Sequence, residues 1–261
     1  MKDNRLKRAQ AEGRIPVGHM VWEFGTRGIA RLLATADIDF CIVDLEHTGF
    51  GHERIADLMG WFAATDIAPF VRTPGSDYHW IARTMDVGAL GVMIPNVESA
   101  EVATKARNAM KYAPLGYRGV GLGGAQNDYR QPNPIEYFKR SNENTTLICQ
   151  IESVRGVENA EAIAAVEGVD VLWVGHFDLS QSMGIPAQFQ HPDFLKALDT
   201  VVAAAAKQGK YAGIQPGDMA QAEQWLDIGF NVISWSADHA VYREAIGSKI
   251  KDLRAAIAKR G

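Results

Sequence analysis

The 261-residue chain is short of most features that mark specialised protein classes. It has two cysteines, Cys41 and Cys149, too few for a disulfide framework and in keeping with a reducing compartment. Both fall inside apolar runs, where a thiol is a small filler. Charge of one sign is never concentrated: 27 Lys and Arg face 31 Asp and Glu, a formal net charge of −4. That disfavours nucleic-acid binding and a polybasic membrane contact, both of which need clustered positive charge. No apolar stretch approaches the roughly 20 residues that span a bilayer. The opening MKDNRLKRAQAEGRIP has no apolar core behind its basic residues, so it does not read as a signal peptide, and a cytoplasmic location is expected. What is present, 47% hydrophobic and 22% charged residues, is ordinary for a globular enzyme or scaffold.

Short apolar runs alternate with amphipathic segments along the chain. Strands are expected at residues 17–22, 40–44, 69–72, 90–94, 146–151, 171–174, 211–214 and 231–235. They are apolar on both faces, as strands covered by helices outside and packed inside should be. Helical patterns lie between them at 53–65, 78–86, 100–112, 159–166, 194–208 and 242–259. Asp-Val-Gly-Ala at 86–89, Glu-Gly-Val-Asp at 167–170 and Asp-Ile-Gly-Phe at 227–230 each end a helix with glycine before the next strand. Eight such units predict an α/β fold, a (β/α)8 TIM barrel forming a single domain over 1–261. An open doubly wound sheet is less suited, because no Gly-x-Gly-x-x-Gly follows the first strand. One excursion, residues 113–145, breaks the rhythm with YRGVGLGGAQN and prolines at 132 and 134. It is expected after the fourth strand, at the C-terminal rim, with a short helix of its own.

Barrel enzymes work at the C-terminal ends of their strands. There the sequence places Glu23, Asp44, Glu46, His47, Arg72, Asn96, Gln150, Glu152, His176, Asp178, Gln215 and Ser234. Glu152 and Asp178 come from adjacent strands, and two converging carboxylates repel unless a cation or proton lies between them. Oxygen ligands of this kind favour Mg²⁺ or Mn²⁺; equally, Asp178 could cap the following helix and Glu152 could pair with Arg155. His47, in a polar turn, is either an acid/base group or solvated surface. Arg72 could hold a substrate carboxylate or oxyanion, or form a salt bridge to Asp44 or Glu46. None of the eleven lysines ends a strand, which excludes Schiff-base chemistry. QPGD and SWSADH, after the last two strands, lack the paired glycines of a phosphate site.

An ordered set of motifs makes the reading more specific. FCIVDLEHTGF (40–50), FVRTPGSD (70–77), MDVGALGVMIPNVE (85–98), YRGVG (117–121), CQIES (149–153) and VEGVDVLWVGHFDLSQSMG (166–184) occur in this order. The sequence resembles the HpcH/HpaI aldolase family of metal-dependent pyruvate aldolases over about residues 16–250. The resemblance implies that Glu152 and Asp178 hold a divalent metal (Mg²⁺, Mn²⁺ or Co²⁺) and that Arg72 binds the pyruvyl oxygens. It implies His47 as acid/base with Asp86 as its carboxylate partner, and Gln150 lining the pocket. Backbone amides at Gly175, His176 and Phe177 would receive the substrate carboxylate. Two departures stand out: Leu45 replaces a glycine before the Glu-His pair, and Gly-His-Phe-Asp at 175–178 replaces Gly-Pro-Ala-Asp.

The implied reaction is reversible cleavage of a 4-hydroxy-2-oxo acid to pyruvate, or a related 2-oxo acid, and an aldehyde through a metal-stabilised enolate. The implied partners are these small molecules and further copies of the chain, a hexamer by resemblance, with no nucleic acid and no membrane. Two other readings stay open. One is a carbon–carbon lyase of coenzyme-A thioesters, though no basic cluster for nucleotide phosphates stands near the strand ends. The other is a non-catalytic barrel that binds 2-oxo acids.

Overall fold

A computed structural model describes residues 1–260. Eight parallel strands close a barrel in sequence order: β1 (Val17–Val21), β2 (Phe40–Asp44), β3 (Ala68–Arg72), β4 (Gly91–Ile94), β5 (Thr146–Ile151), β6 (Val171–Val174), β7 (Tyr211–Ile214) and β8 (Val232–Ala237). β8 pairs with β1 through Val17↔Ile233 and Gly18↔Ser234, so no edge is left open.

The uniform apolarity of the strands is explained by two cores. In β2, Phe40 and Ile42 join an inner cluster with Phe70, Met93, Ile148 and Trp173, while Cys41 and Val43 pack outward beneath the helices. Side chains alternate across a strand, so a strand with both faces covered has no polar phase. The inner layer needs small residues opposite its rings: a Cβ at Gly213 would overlap the Trp173 indole.

The N-terminal helix Arg5–Ala11, absent from the sequence reading, buries Leu6 in the inner cluster and closes the N-terminal rim. Asn4 caps it, accepting from Leu6 N at 3.1 Å, and its amide donates to Asn144 O and Thr146 Oγ1. The helix expected at 159–166 is the shorter Ala160–Ala164, preceded by a second short helix, Val154–Glu158, and parted from it at Asn159.

The excursion sits at the opposite rim from the one expected. The helix Ala100–Met110 carries the chain from the end of β4 back toward the N-terminal rim before the excursion starts. Its helix, Pro134–Asn144, then packs beside Asn4 and feeds directly into β5. No helix among the described residues is long and apolar enough to cross a membrane.

Candidate active site

The C-terminal mouth contains a cavity of about 340 Å³ whose lining includes Trp22, His47, Arg72, Gln150, Phe177 and Asp178. Its fixed element is the end of β2 against the end of β3, where Asp44 and Arg72 stand in register. Asp44, fully buried, accepts from Arg72 Nε at 2.7 Å and Nη2 at 2.8 Å. The same carboxylate accepts from the Glu46 amide (3.0 Å) and the His47 amide (3.3 Å), so one side chain shapes the turn carrying both. Burial opposes the charge on Arg72, but Asp44, Glu46 and Glu152 outweigh it and hold the guanidinium protonated. The salt bridges left open by the sequence are therefore both present, the one to Glu46 at 3.3 Å.

Glu152 lies one residue beyond β5, only 5% exposed. Its Oε1 accepts the Asn96 amide at 2.7 Å, and its Oε2 accepts from Gln150 Nε2. Asn96 reaches this position in the left-handed region (φ 51°), a conformation Asn tolerates better than most residues. Gly175 backs onto the pair, since a Cβ there would overlap both Glu152 and Gln150. Burial, reinforced by Glu46 and Asp178, pushes the Glu152 carboxyl up to about 7. Glu46 is raised by its own burial, although Arg72 pulls the other way.

These carboxylates fit a divalent cation. Gln150 Oε1 is a buried acceptor without a hydrogen-bond partner, Glu46 Oε2 meets only the Arg72 and His47 nitrogens at 3.3 and 3.6 Å, and Glu152 is destabilised as an anion by burial and by two neighbouring carboxylates. A positive ion would relieve all of this. Among the described residues no three Asp, Glu, His or Cys side chains are already gathered as a cage. Glu152 and Asp178 are the carboxylates that could hold such an ion, with water and substrate as its other ligands.

Asp178 sits exposed in the first turn of the helix His176–Ser182. The Gly175 amide is already bonded to Ile151 O at 3.1 Å, which leaves the next two amides, His176 and Phe177, at the open end of that helix. His176 lies among Phe177, Phe189 and Trp225, at centroid distances of 4.6, 5.1 and 5.4 Å. Burial pushes its imidazole down to about 4.

His47 stands half-exposed, with Nε2 3.6 Å from Glu46 Oε2 and its ring 6.0 Å from Trp22. Asp86 is not beside it. The helix Tyr78–Asp86 runs away from the end of β3, and its last residue is paired instead with Arg118 of the excursion at 2.5 Å. A single chain does not bring His47 and Asp86 together.

Two residues of the mouth escaped the sequence reading. Trp22, directly after β1, stacks on His239 and lies 5.7 Å from the Arg72 guanidinium. Asp238, opening the last helix, is buried and accepts from the amides of Trp22, Glu23 and Phe24, fixing the β1 loop. Their position after a strand was a signal for both. Glu23 itself is exposed, and Ser234 donates to Gln215 at 3.0 Å.

Comparison with known proteins agrees with the barrel fold. The family model described as HpcH/HpaI aldolase/citrate lyase matches residues 20–245. A 5-keto-4-deoxy-D-glucarate aldolase of Shigella boydii is 33% identical over 243 residues, 93% of each chain. The crystal structure of an HpcH/HpaI aldolase from Desulfitobacterium hafniense superposes with a TM-score of 0.91 at 33% identity, covering 95% of this chain and 96% of that one. An HpcH/HpaI aldolase/citrate lyase family protein from Burkholderia cenocepacia gives 0.88 at 31%, covering 96% and 99%. The chain therefore belongs to the HpcH/HpaI aldolase/citrate lyase family, a family of carbon–carbon lyases with a divalent-metal requirement.

Proposed function

We propose that the protein reversibly cleaves a 4-hydroxy-2-oxo acid to pyruvate, or a close 2-oxo acid, and an aldehyde. The observation that carries this reading is the buried Arg72, held by both oxygens of Asp44 and sharing a cavity with Gln150, whose amide donates to Glu152. Asp44 occupies Nε and Nη2, so Nη1 is the nitrogen left to meet a substrate oxygen. An arginine fixed in this way is preorganised for charge that develops during reaction, which is typically worth several kcal/mol of barrier.

Glu152 and Asp178 would hold the divalent ion, for which their oxygen-only chemistry favours Mg²⁺ or Mn²⁺. When bound, that ion supplies Lewis acidity toward the 2-oxo group. Arg72 binds the pyruvyl oxygens, Gln150 lines their pocket, and the His176 and Phe177 amides receive the carboxylate. His47 removes the proton from the C4 hydroxyl, directly or through a water. The C3–C4 bond breaks, its electron pair passes into the enolate of the 2-oxo acid, and the aldehyde leaves. Protonation at C3 then gives pyruvate, and the reverse sequence condenses the two.

The Shigella relative is named for a sugar-acid substrate; here the proposal is the 4-hydroxy-2-oxo acid class. We also propose a homo-oligomer, a hexamer by resemblance. The helix Asp238–Ala258 supports this, because it leaves Ile246, Ile250, Leu253 and Ile257 exposed at helical spacing. The buried, unpaired Cys41 and Cys149 support a cytoplasmic location.

The test is release of pyruvate from several 4-hydroxy-2-oxo acids, followed by coupling to lactate dehydrogenase. Activity should vanish after chelation and return with Mg²⁺ or Mn²⁺. No pyruvate from any of them, with either metal, overturns the proposal.

A further inference from the structure

Pairing of β1 with β2 ends at Val21. The next three amides all converge on Asp238, which opens the last helix 214 to 216 residues further along the chain. Its Oδ1 accepts from Trp22 N at 3.0 Å, and its Oδ2 accepts from Glu23 N at 3.1 Å and Phe24 N at 2.7 Å. Only a further bond, from His239 N at 2.8 Å, serves its own helix. Hydrogen bonds to a carboxylate are roughly twice as strong as neutral ones. Asp238 is buried, so this one side chain anchors the loop from the inside.

The loop carries Trp22 into the lining of the cavity. His239 stacks on the indole at 5.3 Å and 27°, so two successive residues hold the backbone and the ring of Trp22. The indole in turn reaches two groups of the site, lying 6.0 Å from the His47 ring and 5.7 Å from the Arg72 guanidinium. These neighbours are held very differently. Arg72 is fixed by both oxygens of Asp44. The His47 imidazole is half-exposed and makes no hydrogen bond among the described residues; the Glu46 carboxylate, at 3.6 Å, is beyond range. Its ring contact is Trp22. Loss of order in the β1 loop therefore reaches His47 before it reaches Arg72.

We propose that Asp238 is a positioning residue for the reaction: by seating the β1 loop it keeps Trp22 against His47 and so fixes where the imidazole stands relative to Arg72. The inference rests on the reading above, in which His47 serves the C4 hydroxyl and Arg72 the pyruvyl oxygens. Cleavage needs both groups in place at once, and a misplacement of about 1 Å can cost on the order of a hundredfold in rate. Methyl-proton exchange draws on the enolate side and involves no C4 hydroxyl.

The experiment compares Asp238→Asn, Trp22→Ala and the double variant with the wild type, full-length and with Mn²⁺. Two rates are read: pyruvate methyl-proton exchange in D₂O, and cleavage of the 4-hydroxy-2-oxo acid that the pyruvate-release test identifies, 4-hydroxy-2-oxopentanoate being the first tried. The ratio of cleavage to exchange should fall about tenfold or more in each single variant. The double variant should fall no further than Trp22→Ala, because residues that act through one contact are not additive. Partial unfolding lowers both rates together and leaves the ratio unchanged. An unchanged ratio in either single variant, or losses that multiply in the double variant, overturns the inference while sparing the aldolase reading. Asp238→Asn that does not fold at all makes Asp238 a residue of the fold alone and overturns it likewise. Absence of both exchange and cleavage in the wild type removes the aldolase reading, and this inference with it.

Discussion

Asp44 and Arg72 form a two-pronged ion pair at the end of neighbouring strands, both side chains almost wholly buried (0% and 8% exposed). Removing one member of such a pair leaves an uncompensated charge, a loss of about 3–5 kcal/mol. Asp44→Ala should therefore be destabilised by about that much in urea titrations. Because Asp44 also receives the Glu46 and His47 amides, the turn they occupy should lose its order. A variant that keeps wild-type stability would show that the pair contributes little.

Arg72→Lys separates charge from geometry. Lysine keeps the positive charge but cannot span both oxygens of Asp44 while facing the cavity. Pyruvate methyl-proton exchange should fall by about a hundredfold or more, comparable to the loss of one preorganised oxyanion donor. Exchange at the wild-type rate would take Arg72 out of the chemistry.

Glu152→Gln and Asp178→Asn should each weaken Mn²⁺ binding, read directly by electron paramagnetic resonance in the absence of substrate. Glu152→Gln keeps the shape and the acceptor for the Asn96 amide, so the fold should be preserved. Unchanged Mn²⁺ affinity in both variants would refute the assignment of these residues as ligands.

Much of the fold was legible because barrel strands have no polar phase: 40–43 and 147–149 are apolar at every step, with polar residues only toward the strand ends. The helix Arg5–Ala11 was not legible, since only Leu6 and Ala9 of its seven residues are buried and the rest reads as a charged tail. The excursion was assigned to the wrong rim although the helix expected at 100–112 already returns the chain from the end of β4 toward the N-terminal ends of the strands. In the site, the residue types at strand ends were readable but their partners were not. Arg72 had two candidate anions and contacts both, whereas the left-handed backbone of Asn96 and the three amides gathered by Asp238 depend on tertiary position. The pairing of Asp86 with Arg118 joins residues 32 apart in sequence, beyond any local pattern.

His47→Ala tests the proton transfer. General acid–base catalysis contributes about 10²–10⁴ in rate, so cleavage should fall within that range. Methyl-proton exchange, which involves no C4 hydroxyl, should fall by less. Equal losses in both reactions would assign His47 to enolate formation instead.

A last prediction concerns stability and pH, and it rests on Lys111. This side chain is 2% exposed, and its Nζ donates to Asn142 O, Thr145 O and Thr145 Oγ1 at 2.8–2.9 Å, tying the end of the helix Ala100–Met110 to the start of β5. Burial pushes its ammonium down to about 8, with Lys7 and Lys210 adding to the effect and Asp170 opposing it. The unfolded chain has the ordinary value of 10.5. Between these two values the unfolded state holds a proton that the folded state has released, so stability rises with pH across the window. Below about 8 both states are protonated and Lys111 contributes no slope. The difference in Tm between the wild type and Lys111→Met should thus be flat from pH 6 to 7.5 and then move in favour of the wild type up to pH 10. A difference that stays constant throughout would mean that the buried amine keeps its proton and that its three oxygen partners outweigh the cost of burial.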